Sequence, residues 1–156
     1  MTVCLIDTSV FVELLDVPGM AAQRETLIAE LRRKVEANEQ LVLPVTTILE
    51  TGNHIGQHGD GNQRRTVAKK FIGQVQAAME GKAPFRPIAY LDEERLAHLL
   101  HGFPAWAQRT DPRGKGSGFG DWSIADEWRR LREELPHRRI YVWTLDSQLA
   151  HCDSHP

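Results

Sequence analysis

Four acidic residues stand where a carboxylate could do chemistry. Asp7 directly follows the apolar run Val3-Cys4-Leu5-Ile6, and Asp146 directly follows Tyr141-Val142-Trp143-Thr144-Leu145. Placing a carboxylate beside two apolar strands costs desolvation unless something neutralises it. Either Asp alone reads equally well as a cap or turn former; two at the ends of neighbouring strands point further. Glu50 lies in Pro44-Val45-Thr46-Thr47-Ile48-Leu49-Glu50-Thr51-Gly52-Asn53, with Asn53 and His54 on the same helix face. Alone, Glu50 reads as a solvated helix residue. Asp121 opens Asp121-Trp122-Ser123-Ile124-Ala125, placed to cap a helix or to face a strand-end cleft. Asp126 lies five residues on, about 140° around a helix, so it is expected to point elsewhere, exposed or behind the site.

The chemistry open to such a set is that of a divalent cation. Carboxylates are hard oxygen ligands suited to Mg²⁺ or Mn²⁺, and a cation relieves the repulsion among clustered acids. A bound ion lowers the pKa of its water and polarises a phosphate. Attack by a metal-bound water, with no covalent enzyme intermediate, is a reaction open to such a set.

Helices and strands must bring these residues together. Thr2 to Ile6, Gln40 to Leu43 and Ile140 to Leu145 read as short buried strands, and Ile88 to Tyr90 as an edge strand. Helical periodicity runs through Val10, Phe11, Leu14 and Leu15; from Met20 through Leu27, Ile28, Leu31 and Val35; and from Val45 towards Ile55. It continues over Asn62 to Met79, after a cap at Asp92, and from Asp121 to a stop at Pro136. Thr110 to Gly120 is rich in glycine and charge and reads as a mobile loop. Alternating strands and helices predict an α/β fold: a three-layer sandwich with a central parallel sheet of four to five strands and helices on both faces. Ligands of such sheets gather at the carboxyl ends of strands, which is where Asp7 and Asp146 fall.

The bulk properties agree with a single domain over 1–156. The chain has 156 residues, 41% hydrophobic and 26% charged, with a formal net charge of -2, the balance of an ordinary globular protein. Two cysteines, Cys4 and Cys152, are too few for a disulfide framework, so a cytoplasmic location is expected. No apolar stretch is long enough to span a bilayer, and the N-terminus lacks the basic start of a signal peptide. Residues 151–156 read as a frayed tail.

Taken in order, Leu5-Ile6-Asp7-Thr8-Ser9-Val10-Phe11, Thr47-Ile48-Leu49-Glu50, Gly118-Phe119-Gly120-Asp121-Trp122-Ser123-Ile124-Ala125 and Thr144-Leu145-Asp146 resemble the PIN-domain family across nearly the whole chain. The resemblance implies a metal-dependent endoribonuclease, of the kind found as VapC-type toxins of toxin–antitoxin pairs. It puts Asp7, Glu50, Asp121 and Asp146 at the acidic metal positions, with Ser9 and Thr144 at supporting hydroxyl positions; Asn53 is added from its place beside Glu50. It also implies RNA as substrate, a protein antitoxin as a possible partner and a possible homodimer. The family continues past its last acid into a helix and a final strand, whereas only Ser147 to Pro156 follow here, so that edge is expected to be short or missing. A non-catalytic RNA- or protein-binding module, and a DNA nuclease or phosphatase of similar architecture, are the alternatives.

RNA would also have to be held. Arg113 and Lys115, ahead of Asp121, are the favoured contacts, and Trp122 is a candidate for base stacking. Arg64, Arg65, Lys69 and Lys70 on one helix, and Arg138 and Arg139 before the last long strand, are further basic groups. Gly114-Lys115-Gly116-Ser117 lacks the earlier glycine of a phosphate loop, and His54 and His58 lack the glutamate of a zinc-protease helix.

Overall fold

The computed structural model of the chain describes residues 1–88 and 91–156. Strand β1 (Val3–Ile6) leads into helix α1 (Thr8–Leu14), followed by α2 (Arg24–Glu36), β2 (Gln40–Leu43), α3 (Val45–Gln57) and α4 (Gly61–Met79). Then come β3 (Phe85–Pro87), α5 (Glu93–Ala107), α6 (Phe119–Glu134), β4 (Ile140–Trp143), a 3₁₀ turn at Ser147–Leu149 and β5 (Asp153–Ser154). The sheet order is β3-β2-β1-β4-β5, parallel throughout except for the β4–β5 pair. The expected α/β architecture, a mainly parallel central sheet, is present.

Alternation along each strand sorts the core into two layers. Cys4, Ile6, Leu41, Leu43, Tyr141 and Trp143 face one way, onto Val10, Phe11, Leu27 and Ile55 from the first three helices and Ala78 from α4. Val3, Leu5, Val42, Ile140 and Val142 face the other way, onto Leu99 and Trp106 of α5 and Trp122, Ile124 and Trp128 of α6. With period-2 side chains and both faces covered, the short strands read as unbroken apolar runs.

Four elements differ from expectation, the first being β4, which ends at Trp143 rather than Leu145 and leaves Asp146 three residues beyond it. The edge strand lies at Phe85–Pro87 rather than 88–90; of that predicted strand, residues 89 and 90 lie outside the described residues. An edge position tolerates the proline that spoils a strand pattern. Helix α6 starts at Phe119 with Gly118 as its cap, which puts Asp121 inside the first turn. The last six residues are not a frayed tail: Asp153 and Ser154 pair with Tyr141 and Ile140, Cys152 is buried, and Arg139 grips Asp153 through Nη2 at 2.7 Å. The final strand is thus present but two residues long. Cys4 and Cys152 are both buried free thiols, and among the described residues no helix is long and apolar enough to cross a membrane.

One buried bond fastens α3 to the end of β1. Thr47 is fully buried, and its hydroxyl donates to the Ile6 carbonyl at 2.8 Å. Thr47→Val keeps the shape and removes the donor, at a cost of about 1–3 kcal/mol. Thermal melts should then show a Tm lower by about 2–4 °C for each kcal/mol lost. An unchanged Tm would show that this bond does not anchor the helix.

Candidate functional site

The sheet branches at β1. Chain order runs from β1 to β2 and β3 on one side, then returns to place β4 and β5 on the other. The carboxyl ends of β1 and β4 therefore flank a switch point, where a crevice opens between outgoing connections. Asp7 sits at that end of β1, and its backbone N–H still donates to Trp143 across the sheet at 3.0 Å.

The Asp7 side chain is almost fully buried. Its Oδ2 accepts from the Ser9 hydroxyl at 2.7 Å and from the Thr144 hydroxyl at 2.8 Å. Burial nevertheless outweighs these donors and pushes its pKa above the usual carboxylate value. The two hydroxyls also bind the other side of the crevice. Thr144 Oγ1 accepts from the Asp146 backbone N–H, and Ser9 Oγ from that of Leu145, both at 2.9 Å. Ser9 and Thr144 thus both meet Asp7 and the turn that carries Asp146. Asp146 caps the 3₁₀ turn, its Oδ1 accepting from Gln148 N–H at 2.9 Å.

Glu50 reaches the same rim from α3. Its Oε2 accepts from the hydroxyl of Thr8, next to Asp7, at 2.7 Å. Its Oε1 lies against the bare Cα of Gly120: a Cβ built there would fall 1.8 Å from it. Asp121 Oδ2 accepts from the Ser117 hydroxyl at 2.9 Å. Its pKa is pushed up to about 6, first by burial and then by the charges of Asp146, Asp7 and Glu50. The other three acids thus lie near enough to Asp121 to oppose its ionisation. Among the described residues none of the four is ion-paired to a lysine, arginine or histidine. Equally, no three His, Cys, Asp or Glu side chains among the described residues stand together as a ready metal-ligand group. The carboxylates share one electrostatic environment without forming a closed shell.

The remaining predicted residues separate into those near the rim and those elsewhere. Lys115 belongs near it: its carbonyl accepts from Gln148 Nε2 at 2.9 Å, two residues past Asp146. Its loop is ordered around Asp111, which accepts backbone N–H bonds from Arg113 and Lys115, both at 2.9 Å. These bonds, that of Lys115 foremost, lower the Asp111 pKa. The Arg113 guanidinium turns back onto Asp111 at 3.2 Å, so it is less free than expected. Asn53 is exposed, with no hydrogen bond into the site among the described residues. Trp122 is buried and its indole N–H donates to the Leu99 carbonyl at 2.8 Å; it belongs to the core and has no free face for a base. Asp126 points away from the rim, as its helical angle requires, but it is buried rather than exposed. It meets Arg95 and His98 of α5, each at 3.0 Å. Thr8, Ser117 and Gly120 complete the site and were missed. Thr8 and Gly120 adjoin the predicted acids, but nothing in their spacing shows that they meet Glu50.

Comparison with known proteins adds no relative: the chain matches no protein-family profile, no curated protein and no solved structure.

The raised Asp121 pKa carries a sign. The folded chain holds this proton more tightly than the unfolded chain, where the value is 3.8, so between there and about 6 stability falls as pH rises. Below that window the penalty is absent, and above it the penalty is complete. Asp121→Asn keeps the acceptor for Ser117 and removes the charge. Without metal at neutral pH it should raise Tm by about 2–4 °C, equivalent to about 1 kcal/mol once solvent screening is allowed for. The gain should vanish at about pH 3, below the titration window. A variant that melts lower than the parent at neutral pH would mean that the four charges do not press on one another.

Proposed function

We propose that the chain is a PIN-like, metal-dependent endoribonuclease whose site is the rim formed by Asp7, Glu50, Asp121 and Asp146. The observation that carries this reading is the uncompensated charge. Asp146, Asp7 and Glu50 all oppose the ionisation of Asp121, Asp7 and Asp121 are held with raised pKa values by burial, and none of the four has a basic partner among the described residues. A purely structural role for such groups would call for an arginine or lysine beside them, because unpaired buried charge is costly.

All-oxygen donors fit Mg²⁺ or Mn²⁺ rather than a thiolate-seeking metal. When bound, such an ion lowers the pKa of a water and stabilises charge on a phosphoryl oxygen. Asp7 and Asp146, tied through Thr144, are the residues to hold it. Asp121 and Glu50 face it from the two neighbouring helices, as further ligands or as acceptors that orient water. Because the four do not form a finished ligand group, loading would draw side chains together, and the carboxylate of Glu50, resting on Gly120, has a glycine's worth of room to move. Ser9 and Thr144 keep Asp7 oriented by donating to its Oδ2. Lys115, whose carbonyl meets Gln148 two residues past Asp146, is on this reading the lysine to meet phosphate.

Asp7→Asn should lower cleavage of single-stranded RNA by more than the tenfold to hundredfold typical of outer-shell losses, with an unchanged far-UV circular dichroism spectrum. Excess chelator should stop the parent, and Mn²⁺ should restore it. Full activity in Asp7→Asn, or in chelator, refutes the proposal; cleavage of single-stranded DNA in preference to RNA reassigns the substrate. Gly120→Ala should displace Glu50 and cut activity about tenfold to hundredfold while leaving Tm nearly unchanged. Wild-type activity in that variant would remove Glu50 from the site.

A further inference from the structure

We propose that the outer flank of α5 and α6 is a binding surface for single-stranded RNA, held through its phosphates by Arg109, Arg129, Arg132 and Arg138. Three of these arginines lie over tryptophans. The Arg109 guanidinium is 4.3 Å from the Trp106 ring centre, that of Arg129 is 5.4 Å from Trp122, and that of Arg132 is 4.6 Å from Trp128. The rings belong to one patch: Trp106 contacts Trp122 at 5.5 Å between centres, and His151 lies 6.2 Å from both Trp106 and Trp128. Burial, reinforced by the charges of Arg109 and Arg129, depresses the His151 pKa, as expected where cations gather. Arg129, Arg132 and Arg138 then line one cleft at the far end of α6, with Glu133 as its only acid.

Other arginines, Arg24, Arg32, Arg33, Arg64, Arg65 and Arg86, are also without an ion pair among the described residues. What sets this cluster apart is that Arg109, Arg129 and Arg132 combine an unspent charge with a seat on an indole. Arg95, Arg113, Arg130 and Arg139 each pair with an acid. Arg109, Arg129, Arg132 and Arg138 have no ion pair among the described residues, in a chain whose formal net charge is -2. A guanidinium laid on an indole is held in orientation while its N–H fork stays available, and that fork matches phosphate. The partner is a polynucleotide rather than an acidic protein, because the tryptophans beneath the arginines are themselves covered and offer no apolar anchor, and the exposed Leu96 and Leu100 of α5 do not line the arginine cleft. Trp106, Trp122 and Trp128 are 3%, 5% and 6% exposed, whereas protein interfaces are built around buried aromatic or aliphatic hot spots. Helix α6 also links this flank to the acidic rim. Arg129 and Arg132 lie about 12 and about 17 Å along its axis from Asp121, within reach of a strand whose cleaved bond lies at the rim.

The inference rests on the chain acting on RNA, but binding can be measured apart from cutting. In the Asp7→Asn background with chelator present, affinity for a short labelled single-stranded RNA is measured against salt. Replacing the four arginines by glutamine should weaken binding about tenfold or more at physiological salt and lower the log–log salt slope by about 3, the loss expected for four phosphate contacts on a single strand. Arg64→Gln, Arg65→Gln, Lys69→Gln and Lys70→Gln together remove the same charge from α4 and should cost much less. Equal losses from both sets, or none from the first, overturn the proposal, as does tighter binding of a polyglutamate peptide than of RNA. Should the glutamine set fail to fold, dicarbonyl modification of the unaltered chain decides. RNA should protect these four arginines, and absence of protection overturns the proposal. RNA binding without cutting would sink the nuclease reading alone; cutting with these arginines unprotected would sink this one alone.

Discussion

A carboxylate at the end of a buried central strand is the constraint around which the rest of this molecule is arranged. Asp7 lies where β1 ends between β2 and β4, almost without exposure. Moving an ionised acid out of water costs several kcal/mol even after relaxation, whereas a hydrogen bond to a charged group returns only about 1.5–3 kcal/mol. Ser9 and Thr144 supply two such bonds, yet the pKa stays raised. Those two hydroxyls have a second task. By accepting from the backbone of Leu145 and Asp146, they set where the chain turns after β4, and so where the next acid stands. The position of Asp146 is thus fixed by the same two side chains that hold Asp7.

Charge is sorted by region over the whole molecule. Helix α6 carries an unpaired acid at its start, Asp121, and two buried acids in its middle, Asp126 and Glu127. Arg95 neutralises both of the latter, with His98 on Asp126 and Arg130 on Glu127. That network fastens α6 to α5 and shows how this fold satisfies buried acids when their task is structural. Beside and past the network stand Arg129 and Arg132, which pair with no acid among the described residues although Glu133 and Glu134 lie on the same helix. One helix therefore presents an anionic end, a neutralised middle and a cationic flank, and the contrast between Asp126 and Asp121 separates structural acids from available ones.

Much of this was legible because the responsible interactions are local. Asp7 and Asp146 stand out since each directly follows an apolar run, and the β2 boundaries follow from the run Gln40 to Leu43. The Asp92 cap of α5 is likewise local, whereas the capping box of Asp60 and Gln63, which starts α4 at Gly61, went unread. What failed was non-local. Nothing near Glu50 in sequence tells that Thr8 and Gly120 receive it. Trp122 beside Asp121 suggested a base platform, but one residue along a helix is about 100° around it, enough to turn the indole into the core. Strand β3 was misplaced because Pro84 and Pro87 obscure the pattern, and edge pairing with β2 needs only three residues. The tail was judged by its polarity, while its order comes from Cys152 packing beneath β4 and from Arg139 reaching Asp153.

Helix ends supply part of the compensation that the acids lack. Helix α1 starts just after Asp7, α6 starts at Phe119 two residues before Asp121, and the 3₁₀ turn starts just after Asp146. Free N–H groups and the positive end of each dipole thus lie at one rim. The favourable effect of a helix terminus on a nearby anion is typically 0.3–1 kcal/mol, rising to about 2 in partly buried geometry. That is smaller than the desolvation cost it opposes, in keeping with the raised values at Asp7 and Asp121. A fold needing only stability has a simpler answer, the one it uses at Asp126: an arginine from the facing helix. At the rim that place is taken instead by a glycine, Gly120, with a fourth carboxylate resting on it. On the reading proposed above, the shortfall left by helix ends and hydroxyls is the free energy with which the site binds its ion.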